Sequence, residues 1–240
     1  MRKSPHISEI ASGLFEINRK IVDVRQRIAA ESKVDYCGQD ARHVALDGIQ
    51  QNLVACGIWI NSLLSLAGKH SSPDSVEFRE DDFLRDVGSN LTLEQTEDLM
   101  WNHLRLGLVV LVHFKIDNLF QNILEQIGRT PGRRGFWHLS NEILQVASIP
   151  DSGYEKDVLT ALANIRNSLH SNGIHNSPSM SVQIDGMDFE FKQGQRVECA
   201  SWLHIITAIS ANIDILEKVL LSNSIKGITD QIEDVFSTSV

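Results

Sequence analysis

The sequence predicts a mostly α-helical protein, a helical bundle with one β-hairpin inserted before the C-terminal helices. Two observations carry this reading. Apolar residues recur three or four apart through nearly every segment, the period of one helix face. Only residues 180–192 alternate apolar and polar side chains, on either side of an Asp-Gly pair. A chain of 240 residues can bury a sizeable core without metal or disulfide staples.

The elements follow in order. Glu9 to Ala30 carries Ile10, Leu14, Ile17, Ile21, Val24 and Ile28 with charges between them, a single stripe on a single helix. After a break at Tyr36-Cys37-Gly38, Asp40 is placed to cap a second helix that bears Val44, Ile49, Leu53, Ile58 and Leu63 and ends near Gly68. Ser71 to Gly88 reads as an acidic surface connection, with a short helix around Asp81 to Val87. Thr92 and Gln95 have capping-box spacing and open the longest helix, which runs to the stop at Gly128. Its middle, Leu106 to Phe114, is apolar almost all round, which predicts burial on several sides. Trp137 to Val146 forms a shorter helix, ended before Pro150. Asp151 or Ser152 begins the next, which reaches about Asn172.

Met180 to Ile184 and Met187 to Phe191 alternate around Asp185-Gly186, the signature of a hairpin with a primed turn. Helix returns from Cys199 to Leu221 with Trp202, Ile205, Ile206, Ile209, Ile213, Leu216 and Val219. A weaker helix covers roughly Ile225 to Phe236. Trp101, Trp137 and Trp202 fall within apolar patterns and are expected in the core. The chain thus divides into N-terminal helices over 1–70 that pack on the bundle, an acidic connection over 71–91, and a helical unit over 92–240 that holds the hairpin.

The net charge of −9 is concentrated. Residues 71–100 carry nine acids against two arginines. No surplus of Lys and Arg remains to build a broad phosphate-binding surface, which argues against non-specific duplex binding. One small basic spot stands out, Arg129, Arg133 and Arg134, followed by Phe136 and Trp137, a candidate RNA-contacting loop. Cys37, Cys56 and Cys199 are far apart and form no CxxC, so they read as reduced thiols of a cytoplasmic protein. No apolar stretch approaches the length of a membrane span, and no membrane partner is expected. His103 and His113 lie ten residues apart on the long helix, and no HExxH or His/Cys cluster occurs, so no metal or other cofactor is expected. The phosphate-binding glycine motifs and the nucleophile elbow are absent.

One stretch carries chemistry: Asn164-Ile165-Arg166-Asn167-Ser168-Leu169-His170-Ser171-Asn172-Gly173. Val158, Leu162, Ile165 and Leu169 make an apolar stripe, and Arg166 and His170 lie one turn apart beside it. A guanidinium fork can hold a phosphate and stabilise charge on a pentacovalent intermediate. An imidazole can move a proton near neutral pH. Asn167 lies further round and can orient or polarise a group nearby. The plainer account of the same residues is helix termination. Gly173 would be the C′ glycine, His170 a cation at the negative end of the helix, and Arg166 the partner of Glu155 or another acid.

The Arg-Asn-x-x-His pattern resembles that of the HEPN superfamily of helical domains. The resemblance covers about residues 92–221. It implies a metal-independent endoribonuclease, at home in toxin–antitoxin or antiphage defence systems, in which the RNA's own 2′-hydroxyl attacks the neighbouring phosphorus. It also implies a homodimer with a composite site. The acidic pairs Asp81-Asp82 and Glu97-Asp98 read as a solvated face, or else as the means of neutralising a basic partner such as a cognate antitoxin or another protein. Matching the motif carries over Arg166, Asn167 and His170. The family spaces its Arg and His more widely; here three residues intervene. Two other classes remain open: a non-catalytic helical dimerisation or interaction module, favoured by the net acidity and the short spacing, and a nucleotide-binding regulator that does not cleave.

Overall fold

The computed structural model describes residues 7–32, 39–69, 93–129, 135–150 and 153–234. Among them the chain is mostly helical with one inserted hairpin, as its periodicity predicts. The helices are α1 (Ile7–Glu31), α2 (Ala41–Lys69), α3 (Leu93–Gln126), α4 (Phe136–Val146), α5 (Tyr154–Leu169), α6 (Trp202–Leu220) and α7 (Asn223–Lys226). Strands β1 (Met180–Ile184) and β2 (Met187–Phe191) lie between α5 and α6. The acidic connection and Thr92, with its capping box, lie outside the described residues, as do Cys37, Asp151 and Ser152.

Helix α3 packs against α2, α4, α5 and α6, and α1 lies against α2 and α6. Buried residues of all six long helices and of the hairpin join in one hydrophobic core. In α1 the buried set is Ile10, Leu14, Ile17, Ile21, Val24 and Ile28, the predicted stripe. Burying each such side chain stabilises the fold by about 1.5–3 kcal/mol. The backbones approach closely at two glycines. A Cβ on Gly13 would meet Ile206 Cγ2 at 2.8 Å, and one on Gly48 would meet Lys115 Cε at 2.5 Å.

Three expectations about the core need correction. Ile58 follows the apolar period of α2 but points outward; that helix buries Ala45, Leu46, Ile49, Leu53, Cys56 and Ile60 instead. The middle of α3 is not enclosed, because Leu111 and Phe114 face outward while Val109 and Val112 are buried. Trp137 is also exposed, covered on one face by Lys156 with Nζ 3.6 Å from the ring centroid. Trp202 is buried and meets Trp101 edge to face at 6.0 Å.

The hairpin pairs Met180 with Phe191 and Ile184 with Met187. Val182, Ile184, Phe189 and Phe191 turn inward onto α5 and α6. Asp185 (φ 49) and Gly186 (φ 77) are both left-handed, as a type I′ turn requires. Gly186→Ala should therefore cost about 1 kcal/mol, read as a lower urea midpoint with an unchanged slope.

Beyond α7 the predicted C-terminal helix does not continue. Residues 227–234 form an extended strap that is tied back to the start of α2. Asp40 caps that helix: Arg42 N–H donates to Asp40 Oδ1 at 2.9 Å. Asp40 also accepts from Arg42 Nε at 2.9 Å and, through Oδ2, from Arg42 Nη2 at 2.7 Å. Arg42 then donates Nη1 to the Ile228 carbonyl at 3.2 Å. Ala41 N–H donates to the Ile232 carbonyl at 2.8 Å, and Ile232 N–H to Asp40 Oδ2 at 3.2 Å. Further along, Asn118 Nδ2 donates to the buried Asp234 Oδ1 at 2.7 Å. The strap lacks helical period because its order comes from these bonds rather than from an apolar face.

Candidate functional site

Helix α5 begins after Gly153 (φ 75) and buries Val158, Leu162 and Ile165 of the predicted stripe. Its last turn presents the motif outward. Arg166 is half-buried, and Asn167 and His170 are exposed. Arg166 Nη1 donates to Asn167 Oδ1 at 2.9 Å. The acid nearest in sequence does not neutralise it, since Glu155 accepts from Lys218 Nζ at 3.1 Å. Among the described residues no carboxylate lies within ion-pairing distance of Arg166. Among the described residues most of its five donors meet no acceptor.

The turn that carries His170 is pinned. His170 is the C-cap, with its N–H near the carbonyls of Asn167 and Ser168. Asn172 (φ 52) takes the left-handed position expected of Gly173, and Gly173 (φ 83) follows it. Gly173 N–H returns to the Ser168 carbonyl at 2.8 Å, the six-to-one bond of a Schellman stop. The loop is then clamped to residues 194–197: Val197 N–H donates to the Gly173 carbonyl and His175 N–H to that of Gln195. His175 itself is buried, with Nε2 3.0 Å from the Pro178 carbonyl and its ring against Phe191, a structural role. Arg196, on the clamping segment, reaches within 3.9 Å of where a Gly173 Cβ would stand.

Two groups on α3, which packs against α5, bear on the motif; the sequence reading weighed His113 only as a metal ligand and did not single out Asp117. His113 and Asp117 are one turn apart on that helix, and both feel the charge of Arg166. His113 is 4% exposed, its ring 4.4 Å from that of Phe136, and Nε2 has no hydrogen-bond partner among the described residues. Burial first, and the Arg166 charge second, lower its pKa from 6.5 to about 4. Burial pushes the Asp117 carboxyl up, opposed by a hydrogen bond from Gln121 and by Arg166. The arrangement is a neutral imidazole and a partly desolvated carboxyl within reach of the Arg166 charge. The only sequence signal for it was polar residues at i and i+4 in an otherwise apolar helix face.

Of the basic spot, Arg129 is not brought to this site. Arg129 is exposed at the far end of α3, in a stop where Gly128 has φ 74 and Arg129 N–H reaches the Leu124 carbonyl. Roughly 14 Å of helix separates Asp117 from Gln126. Arg133 and Arg134 lie outside the described residues. Cys56 and Cys199 are buried free thiols, and burial pushes the Cys56 thiol up to about 11, so it offers no thiolate nucleophile near neutral pH. Among the described residues no group of three or more His, Cys, Asp or Glu side chains could hold a metal ion, and no helix is long and apolar enough to cross a membrane. Comparisons with protein-family models, with curated proteins and with solved structures found no match.

Proposed function

We propose that this chain is a HEPN-like, metal-independent endoribonuclease that works as a homodimer in a bacterial toxin–antitoxin or antiphage defence system, where a cognate protein partner restrains it. The observation that supports this most is the state of Arg166, half-buried on a pinned helix end, one turn from the exposed His170, and bonded to Asn167 rather than to an acid. A guanidinium used only to terminate a helix would be expected to sit on a carboxylate or on the last carbonyls.

In this reading Arg166 holds the scissile phosphate and stabilises the added negative charge as the 2′-hydroxyl oxygen bonds to phosphorus. An imidazole takes the 2′ proton, the bond to the 5′ oxygen breaks, and that oxygen leaves with a proton returned by an imidazolium. The products are a 2′,3′-cyclic phosphate and a 5′-hydroxyl. His170 moves the proton, and Asn167 fixes the Arg166 fork by accepting from Nη1.

The test is incubation of the full chain with single-stranded RNA in EDTA. Cleavage leaving cyclic phosphate ends is expected, and Arg166→Ala and His170→Ala should each reduce it to background with unchanged thermal unfolding. Intact RNA with the wild-type protein would leave the non-catalytic interaction module as the better reading. The outward apolar side chains of α2 and α3 favour that alternative.

A further inference from the structure

We infer that Trp137 and Lys156 form a subsite for single-stranded RNA, where a base stacks on the indole and the ammonium takes the neighbouring phosphate, a few nucleotides from the phosphate that Arg166 holds. Trp137 belongs to the predicted RNA-contacting loop, and its place in the first turn of α4 leaves it 49% exposed. A ring of this size is ordinarily buried in a core or held at an interface. Lys156 Nζ lies 3.6 Å from the ring centroid and reaches Asn141 Oδ1 at 3.4 Å. Among the described residues no carboxylate lies within ion-pairing distance of that ammonium. An indole beside an unpaired cation suits a single strand, since every base offers a π-face and every linkage a negative charge. A duplex fits poorly, because its bases are already stacked on one another.

The subsite is aligned with the motif, because α5 carries both. On an ideal helix Asn167 and His170 fall within about 40° of Lys156, and Arg166 follows Lys156 by about 15 Å of rise. Asn167 and His170 are exposed and Lys156 and Arg166 half-buried, so all four reach solvent. Helix α4 packs on α5. Phe136, next to Trp137, lays its ring 4.4 Å from that of His113, which feels the Arg166 charge. The indole is thus one residue away from a side chain that borders the Arg166 cluster. Charge agrees. The chain holds 31 Asp and Glu, yet residues 135–141 and 158–184 contain none. On a protein of net charge −9, a polyanion meets the least local repulsion from such segments. A strand held partly by stacking also needs fewer cations than a duplex held by its phosphates, which suits a chain with no surplus of Lys and Arg.

The subsite rests on the ribonuclease reading for its substrate, but its test reads binding rather than cleavage. The probe is a short fluorescein-labelled single-stranded RNA with 2′-O-methyl groups throughout, which has no free 2′-hydroxyl to attack. Its binding to the full chain is followed by fluorescence polarisation in EDTA. Trp137→Ala should weaken binding about tenfold or more, the effect of losing one stacked base, with thermal unfolding unchanged because the side chain is exposed. Trp137→Phe should keep most of the affinity. Lys156→Gln should weaken binding and lower the slope of log affinity against log salt by about 0.7, the mark of one phosphate contact on a single strand. Phe15→Ala, on the exposed face of α1, should change nothing. The same strand annealed to its complement should bind far more weakly. A wild-type chain that ignores the probe, a Trp137→Ala variant that binds as well as wild type, or equal affinity for the duplex would overturn the subsite. Binding with these dependences but no cleavage of unmodified RNA would keep the subsite and overturn the catalytic reading. Cleavage and binding both indifferent to Trp137 would do the reverse.

Discussion

Arg42→Ala will lower the free energy of unfolding by about 3–5 kcal/mol, the largest single effect expected in this molecule. Arg42 and Asp40 are each 1% exposed, and no water stands ready to replace a lost partner. Truncating Arg42 leaves the Asp40 carboxylate buried with only backbone N–H donors from Arg42 and Ile232. It also removes the donor that holds the Ile228 carbonyl, so the strap loosens with the cap. The measurement is urea unfolding followed by tryptophan fluorescence. A loss below about 1 kcal/mol, the level of an exposed pair, would show that the strap is not held this way. Replacing both residues together by apolar ones of similar volume should cost far less than either single change, because no buried charge is then stranded.

The second large effect is in pH. The folded His113 imidazole is held down at about 4, below the 6.5 of a solvated ring. As pH falls the unfolded chain takes up this proton first. The contribution of His113 is therefore whole above pH 6.5 and is lost progressively down to about pH 4. A shift of this size corresponds to about 3 kcal/mol. His113→Leu should remove that part of the acid destabilisation, so wild type and variant differ near neutrality only by their packing, and the variant gains about 3 kcal/mol relative to wild type as pH falls to about 4. Arg166→Gln should raise the His113 pKa, read from its imidazole NMR signals, since the guanidinium is the second cause of the depression. A wild-type His113 titrating near 6.5 would show that the ring is solvated and that this cluster does not form.

Helix α1 and the hairpin were legible in the sequence for a simple reason: each has one apolar side, so periodicity states both the element and its orientation. Helix α2 shows where that information ends. Its apolar residues run all round, and period alone cannot tell that Ile49 and Leu53 face the core while Ile58 faces out. The same holds for Leu111 and Phe114 in α3. The site divides likewise. Arg166, Asn167 and His170 lie within one helical turn, so spacing alone brings them together as candidates. His113 and Asp117 belong to the same cluster, but their neighbour lies about fifty residues further along the chain, and no local rule joins them. The strap was missed because its order is imposed by a carboxylate and a guanidinium at the opposite end of the sequence.

That last tie has a bearing on biosynthesis. Its bonds join residues separated by 183 to 192 positions. A ribosome delivers α1 and α2 well before the strap, so the mouth of α2 stays open, with Arg42 and Asp40 in water, until residues 227–234 have emerged. Closing so large a loop then comes after the local helices have formed. A stalled or shortened message would release a body with its helices assembled and its seam unsewn, open to quality-control proteases at that one end.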